Sequence, residues 1–498
     1  MADTRFHEAP TYQEAGPYRL MPFQFGRLSE DRMLITNHMG EFTVLPASLF
    51  TDFISKRLPL GSTEYLDLKS RHFLTHEFND TTARVAASQW RTKKGFMEGG
   101  PKLHIFVPTL RCNQGCGYCQ ASRADSRASG FDMSEATALR AIDLMLASPA
   151  PAVTMEFQGG EPLLAFDVVR WMTETATARA KARNKSLQFV ICTNLTLLTD
   201  EHIEFFRLHS VAVSTSLDGP AGIHDRNRPM SGTGSHATVV RNIRRCQEAL
   251  GSGGVSALMT TSVHSLPHAR AIIDEYLSHG LKSVFLRELN PYGFAAKSSK
   301  AIGYDLDDFL LFYRDALLYI LDLNRRGVPF AEGYATTLLQ KILTPFGVGF
   351  VDLQSPTGEG FGTVLYNHDG NVYASDEARM LAEMDDPTFR LGTVKDNWMD
   401  LLSSDTMKCI AAAGVAEALP GCSDCAYVPY CGADPIRHYR TQGDLIGHRP
   451  SSSFCQKQSA IFGILFDLLD GASAETQNIL LGWLNPGRRF LPEATWQS

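Results

Sequence analysis

Between residues 101 and 330 the chain repeats one theme. Short apolar, β-branched runs at 104–108, 153–158, 187–193, 211–217, 255–262 and 283–288 alternate with amphipathic stretches such as 134–147, 237–249 and 266–280. The short runs lack clear alternation, as strands covered on both faces do, and the longer stretches carry the helical period. Ser134 precedes one of them with Glu135 in its first turn, an N-cap signature. Strand–helix alternation of this kind predicts a parallel sheet with right-handed crossovers. Six units are too few to close an eight-stranded barrel, so an α/β fold with a partial (β/α)6 barrel is expected. Its chemistry should gather at the C-terminal ends of the strands.

The flanks read differently. Residues 18–28, 33–37 and 41–45 look like strands, two of them meeting at Met39-Gly40. Helical stretches follow at 47–58 and 62–74, giving the order β-β-β-α-α, and a basic, glycine-containing link at 91–100 leads onward. Beyond residue 331 the pattern is irregular, with a hairpin at 362–374 turning at Asp369-Gly370 and a helix near 459–469. The expected domains are therefore 1–95, 96–330 and 331–498. The tail after Gly471 carries no chemical signal.

Composition narrows the function. The chain has 498 residues, and its 44% hydrophobic and 20% charged content is that of a globular protein. A net charge of −7 argues against nucleic acid as the main partner. No apolar run reaches the roughly 20 residues of a membrane span. Residues 1–10 are polar and acidic, unlike a signal peptide, so a cytoplasmic location is expected. Ten cysteines are present, and seven of them fall into two groups, Cys112, Cys116, Cys119 and Cys422, Cys425, Cys431, Cys455. In a large cytosolic chain such clustering favours metal over disulfides. Cys192 and Cys246, in apolar or helical settings, read as buried structural cysteines.

The first group has the spacing CxxxCxxC directly after the first barrel strand. Three thiolates on a short loop can hold three irons of a cubane and leave the fourth open to a ligand. A zinc site or a plain electron-transfer cluster would want a fourth ligand, and none lies nearby. Gly159-Gly160-Glu161-Pro162 ends the second strand, Thr193-Asn194 the third, Ser216 and Asp218-Gly219 the fourth, and Arg287-Glu288 the sixth. Polar residues on consecutive strand ends converge on one mouth. This set resembles the radical S-adenosylmethionine (SAM) superfamily. The resemblance implies that Cys112, Cys116 and Cys119 bind a [4Fe–4S] cluster whose open iron takes the amino and carboxylate groups of SAM. One electron then cleaves the sulfonium to methionine and a 5′-deoxyadenosyl radical. It also implies that Tyr118 fills the aromatic position before the last cysteine and that Gly159, Gly160, Glu161 and Pro162 bind the SAM amino group. Asn194, Ser216 and Asp218 would lie near the ribose or substrate, with Thr193 and Arg287 on neighbouring strand ends. His224, Asp225, Arg226 and Arg228 continue an HD-x-x-R pattern, a structural or substrate loop.

The second group, CxxCx5C with Cys455 downstream, resembles the SPASM extension of peptide-modifying members. Full extensions carry two auxiliary clusters. Here Pro435 and Ser375 stand where further cysteines are common, and both losses strike the same cluster. One auxiliary [4Fe–4S] cluster on Cys422, Cys425, Cys431 and Cys455 is expected, closed by four thiolates and suited to electron transfer. The spacing alone also permits a four-cysteine zinc knuckle. Cys409 reads as structural. The N-terminal strands and helices resemble a winged-helix element that binds a leader peptide as an added strand, and a plain accessory layer fits the pattern equally. The overall resemblance is to the His-Xaa-Ser system maturase, carried by residues 20–25 (LMPFQF), 36–41 (TNHMGE), 375–379 (SDEAR) and 431–435 (CGADP). It implies an oxidoreductase that maturates a ribosomally made precursor peptide, forming a carbon-centred side-chain cross-link with loss of two hydrogens. A flavodoxin or ferredoxin would supply electrons. Oxidation of Ser or Cys in a sulfatase, or peptide epimerisation, is the alternative. By position, Asp376, Glu377, Asp434 and Arg437 are candidates for acid–base or substrate roles.

Overall fold

The computed structural model describes residues 16–76, 80–230, 234–471 and 473–484. Residues 1–10 and most of the tail lie outside these. Strands β1 (Gln24–Arg27), β2 (Arg32–Thr36) and β3 (Phe42–Pro46) form an antiparallel meander in that order. The turn at Met39-Gly40 closes as Gly40 N donates to Asn37 O at 2.8 Å. Helices α1 (Ala47–Ile54) and α2 (Thr63–Ser70) follow, the second capped by Ser62, which accepts from Tyr65 N. The link expected at 91–100 is mostly helix instead. Helix α3 (Asp80–Lys94) buries none of its described side chains, so it shows no apolar stripe from which its period could be read.

The meander is buried on both faces. Ile35 joins Tyr18, Phe53, Tyr65 and Phe73 in a small core of its own, while Leu34 points the other way into the main core. On that second face Thr36 donates to Ala426 O at 2.8 Å, and Tyr430 donates to Gly40 O at 3.0 Å. Phe42 packs edge-on against Phe466, and Arg32 pairs with Asp467 and Asp470. The N-terminal sheet is thus seated on the loop that carries the second cysteine group.

The expected barrel strands appear as β4 (Leu103–Thr109), β5 (Ala152–Gly159), β6 (Ser186–Cys192), β7 (Val211–Ser216), β8 (Val255–Thr260) and β9 (Leu286–Arg287), all parallel to their neighbours. Helices such as α4 (Glu135–Ala147), α5 (His236–Leu250) and α6 (Ala269–Ser278) cover one face. Ser134 caps α4 by accepting from Thr137 N at 3.2 Å, a contact worth about 1 kcal/mol. Among the described residues the sheet is open, with no closed barrel.

Two expectations change here. The boundary at 330/331 cuts through the sheet, because β10 (Thr363–Tyr366) pairs parallel with β4, and β11 (Asn371–Tyr373) and β12 (Arg390–Thr393) continue antiparallel. The order is β9-β8-β7-β6-β5-β4-β10-β11-β12. All four residues of β10 are buried, and they satisfy the backbone edge that β4 would otherwise expose. The strands also alternate. Met155 and Phe157, Val211 and Val213, Ala257 and Met259 are buried, whereas Glu156, Gln158, Ser214, Ser216 and Thr260 are only half-buried. Successive side chains point to opposite faces, so the polar members line a lumen that the apolar runs conceal in the sequence. Cys192 sits on this lumen, half-buried, rather than in a sealed core.

No helix among the described residues is long and apolar enough to cross a membrane.

Candidate active site

The loop after β4 is held by backbone bonds before any cysteine is placed. Leu110 N donates to Phe131 O at 3.0 Å and Ala124 N to Leu110 O at 2.8 Å. Arg111 forks onto Asp132, with Nε–Oδ1 and Nη2–Oδ2 both at 2.8 Å. Cys112 ends a two-residue strand beside Ala124–Asp125. Gln114 N donates to Cys112 Sγ at 3.5 Å, the Cys116 thiol donates to Gln114 Oε1 at 3.8 Å, and Cys119 N donates to Cys116 O at 3.2 Å. Phe294 N donates to Cys119 O at 2.8 Å, closing the loop from the far side.

The glycine pair clamps this loop. Gly160 N donates to Thr109 O at 2.9 Å and Glu161 N to Arg111 O at 2.7 Å. A Cβ on Gly160 would stand 2.2 Å from Arg111 O, and one on Gly159, at φ +122°, would stand 2.3 Å from Thr109 O. The glycines therefore admit the cysteine loop itself, a reason that differs from close approach to a ligand. Glu161 is fully buried. It accepts from Leu163 N at 3.0 Å, Thr193 Oγ1 at 2.6 Å and Asn194 N at 2.7 Å, and thereby fixes the end of β6. Pro162 starts the short turn that follows.

Around the rim, Asn194 Nδ2 reaches Cys112 Sγ at 4.0 Å and donates to Asn113 Oδ1 at 2.9 Å, while Thr196 bridges the two asparagines. Tyr118 donates to Asp218 Oδ2 at 2.5 Å, and Arg228 lies 3.3 Å from the same oxygen and 5.2 Å above the Tyr118 ring. Asp218 N donates to His224 Nδ1 at 3.3 Å, so the HD-x-x-R segment is anchored on the Asp218 corner. Ser216, half-buried, faces the lumen beside it. Asn113, Gln114 and Thr196 escaped the sequence reading. The first two sit inside the cysteine motif, where spacing alone could have flagged them, and Thr196 had no signal.

The donor set fits an iron–sulfur group. Burial, with the Glu161 carboxylate behind it, pushes the Cys112 thiol up to about 12, and burial pushes Cys116 up to about 11 against the pull of Arg228. Such thiols ionise only against a strong cationic partner.

The second cysteine group also comes together. Cys422, Cys425, Cys431 and Cys455 line one pocket, with Tyr427, Val428, Phe454 and Arg449 among its walls. Cys409 is exposed and outside it. Around a tetrahedral zinc the sulfurs would stand roughly 3.8 Å apart. Among the described residues the one trio of His, Cys, Asp or Glu ligand atoms mutually within 4.8 Å is His236, Glu275 and His279, so neither cysteine group is that tight. That trio is hydrogen-bonded, with Glu275 Oε1 at 2.7 and 2.8 Å from the two Nε2 atoms and Arg244 at 3.3 Å from His279 Nδ1. Ser375 and Pro435, at the positions of the missing cysteines, serve helices instead. Ser375 caps α7 (Asp376–Ala382) by accepting from Ala378 N, and Pro435 occupies the first turn of α8 (Pro435–Gln442).

The remaining candidates have structural partners. Asp376 pairs with the buried Arg379 at 3.0 Å, and Arg379 donates to Ala121 O at 3.2 Å, just past Cys119. Asp434 caps α8 by accepting from Arg437 N at 2.9 Å. Arg437 and Lys457 both donate to Glu288 Oε1, at 2.6 and 2.5 Å, and against the upward push of burial these two cations hold Glu288 down at about 2. Arg287 O accepts from Thr261 N at 2.8 Å at the end of β9.

An open parallel barrel whose first strand delivers three clustered cysteines beside a glycine–glycine–glutamate clamp defines an iron–sulfur enzyme class. The radical SAM superfamily profile matches residues 106–263. An uncharacterized protein of Methanothermobacter thermautotrophicus is 30% identical over 223 residues, 44% of this chain and 77% of the relative. The chain belongs to the radical SAM superfamily, whose members use a [4Fe–4S] cluster and SAM. A serine-type anaerobic sulfatase-maturating enzyme of Bacteroides thetaiotaomicron is 32% identical over 132 residues, 25% of this chain and 32% of that enzyme. In fold the chain is similar to anSMEcpe with bound AdoMet, at a TM-score of 0.60 and 18% identity over 74% of this chain and 98% of that one. It is also similar to Streptococcus suis SuiB bound to precursor peptide SuiA, at 0.52 and 13% over 88% and 100%.

Proposed function

We propose that this chain is a peptide maturase of the His-Xaa-Ser type that cross-links side chains of a ribosomally made precursor with loss of two hydrogens. Cys112, Cys116 and Cys119 would hold the SAM cluster, and Cys422, Cys425, Cys431 and Cys455 one auxiliary [4Fe–4S] cluster. When bound, the first cluster and SAM supply a primary carbon radical that removes hydrogen from carbon. The chain's residues do the positioning. The clamp at Gly159–Gly160 and the Glu161 carboxylate fix the cysteine loop against the ends of β5 and β6. Thr193, Asn194, Ser216, Asp218 and Arg228 would meet SAM, and Tyr118 holds Asp218 in place.

The observation that carries the reading is the seating of the N-terminal sheet on the second cysteine loop through Thr36 and Ala426. Among the described residues β1 and β3 each pair on one side only, so a strand-like leader has edges to join. A leader bound there lies on the body that would hold the auxiliary cluster, the natural acceptor for the second electron. That SuiB binds a precursor peptide supports the reading by analogy. Flavodoxin or ferredoxin would deliver electrons, and residues 1–95, 96–330 and 331–498 would divide leader binding, SAM chemistry and the auxiliary cluster, with β10–β12 lent to the central sheet. The test incubates reconstituted enzyme, SAM, reductant and a candidate precursor without oxygen and reads the intact peptide mass. Loss of two hydrogens with fragmentation blocked between two side chains is expected. An aldehyde trapped by hydrazide would refute it in favour of sulfatase-type oxidation, the reading that the Bacteroides relative favours. Deuterium uptake without mass loss would mean epimerisation.

A further inference from the structure

We propose that His236, Glu275 and His279 form a site for a divalent transition-metal ion of the zinc type, among the helices that cover the barrel sheet and separate from both cysteine groups. The inference does not depend on the maturase reading.

The three side chains come from two helices. His236 opens α5, Glu275 lies in the last turn of α6, and His279 is the residue that ends α6. Glu275 and His279 are four positions apart, so the helix sets them on one face. Glu275 Oε1 stands 2.7 Å from His236 Nε2 and 2.8 Å from His279 Nε2, and the ligand atoms of all three lie within 4.8 Å of one another. Among the described residues no other trio of His, Cys, Asp or Glu is this close. The three side chains are 13%, 18% and 9% exposed, so the cluster is shielded from water without being sealed.

Both imidazoles aim the same ring nitrogen at one point. Zinc takes imidazole nitrogen and carboxylate oxygen at about 2.0–2.2 Å, so an ion at that point needs each ring to close by less than about 1 Å while the carboxylate draws back. Hydrogen bonds already hold the backbone of both histidines. His236 N donates to Asp225 Oδ1 at 2.8 Å, and Gln247 Nε2, from α5, donates to His279 O at 3.0 Å. Against the upward push of burial, hydrogen bonds from His279 and His236 keep the Glu275 carboxyl below its ordinary range, so it stands ready as an anionic ligand. Two imidazoles with one carboxylate is a ligand set of catalytic zinc sites, which keep a further position for water, and imidazole favours transition ions over magnesium or calcium. Arg244 opposes a cation here, since its Nη2 donates to His279 Nδ1 at 3.3 Å. It is exposed, and it meets the ring nitrogen that faces away from Glu275, so it can swing into water as the ion enters. The site backs onto the Asp218 corner: the His236 ring meets His224 edge-on, with centroids 5.6 Å apart, and His224 Nδ1 accepts from Asp218 N.

The test titrates zinc into anaerobic, cluster-loaded enzyme in competition with a chromophoric chelator. One zinc per chain is expected, with a Kd of about 1 µM or below. X-ray absorption at the zinc edge should show nitrogen and oxygen at about 2.0–2.1 Å and no sulfur at about 2.3 Å, which separates this site from thiols left empty by incomplete loading. His279→Ala and Glu275→Gln, each checked for unchanged iron content, should weaken zinc at least about tenfold. Arg244→Gln removes the opposing charge and should tighten zinc several-fold. Magnesium in about a hundredfold excess should displace none of it. Absence of bound zinc, sulfur around the zinc, affinity unmoved by His279→Ala, or displacement by magnesium overturns the proposal. If His279→Ala and Glu275→Gln lose iron and fail to fold, Arg244→Gln decides, and zinc bound no tighter in that variant overturns the proposal as well.

Discussion

Replacing Arg437 with Met should loosen the seam between the barrel and the second cysteine region by up to about 3 kcal/mol. Glu288, at the end of the last parallel strand, is held by Arg437 from α8 and Lys457 from α9 (Ser453–Asp470), with all three side chains about 10% exposed. Both cations approach the same carboxylate oxygen, so Lys457 stays paired with Glu288 when Arg437 is gone, and about 3 kcal/mol is the ceiling of the loss. The lowering of Glu288 from its ordinary 4.5 to about 2, at about 1.4 kcal/mol per pH unit, corresponds to about 3 kcal/mol of stabilisation. Removing one partner of a buried pair costs a similar amount. Because the carboxyl is depressed on folding, the contribution is complete above about pH 5 and fades as pH falls through 4.5 toward 2. A chain of this size with clusters will not unfold in one step, so the readout must be local. Hydrogen exchange at pH 7 over residues 283–290 and 435–442 should quicken by up to about two orders of magnitude in Arg437→Met. The same variant with Glu288→Gln added should regain none of the protection, since the buried Lys457 ammonium then loses its carboxylate. Exchange within threefold of wild type in the single variant would refute the reasoning.

Gly160→Ala should prevent the first cluster from assembling, because its Cβ meets the Arg111 carbonyl at 2.2 Å and backbone bonds on both sides hold that carbonyl in place; iron after reconstitution should fall from about eight to about four per chain. Cys455→Ser should lose a similar amount of iron and Cys409→Ser none, since only the former lines the second cavity; retention of full iron by Cys455→Ser, with zinc present, would sink the auxiliary cluster. Arg379→Met leaves Asp376 and the Ala121 carbonyl without their buried donor, so residues 119–125 should exchange about tenfold faster or more, and SAM affinity should weaken with them.

Much of this protein was legible because some residues have one physical use. Three cysteines within eight positions have few roles outside metal binding, and glycine–glycine at a strand end announces a contact that excludes a side chain. The strands of the barrel, the hairpin at Asp369-Gly370 and the Ser134 cap depend on local pattern and turn chemistry, which neighbours in the sequence decide. Helix α3 was not legible, because a helix that buries nothing leaves no period to read. The sharing of β10 with the barrel sheet was not legible either, since pairing of Thr363 with Leu103 is set by an open strand edge, not by either segment alone.

The sequence by itself determined the class of chemistry, through the kind and spacing of its thiols and the order of polar strand ends. Only the tertiary structure decided that Gly160 faces the Arg111 carbonyl and that Arg437 and Lys457 converge on Glu288. Spacing along the chain limits what a few residues on one loop can do, whereas contacts between positions a hundred residues apart exist only once packing has fixed which faces meet.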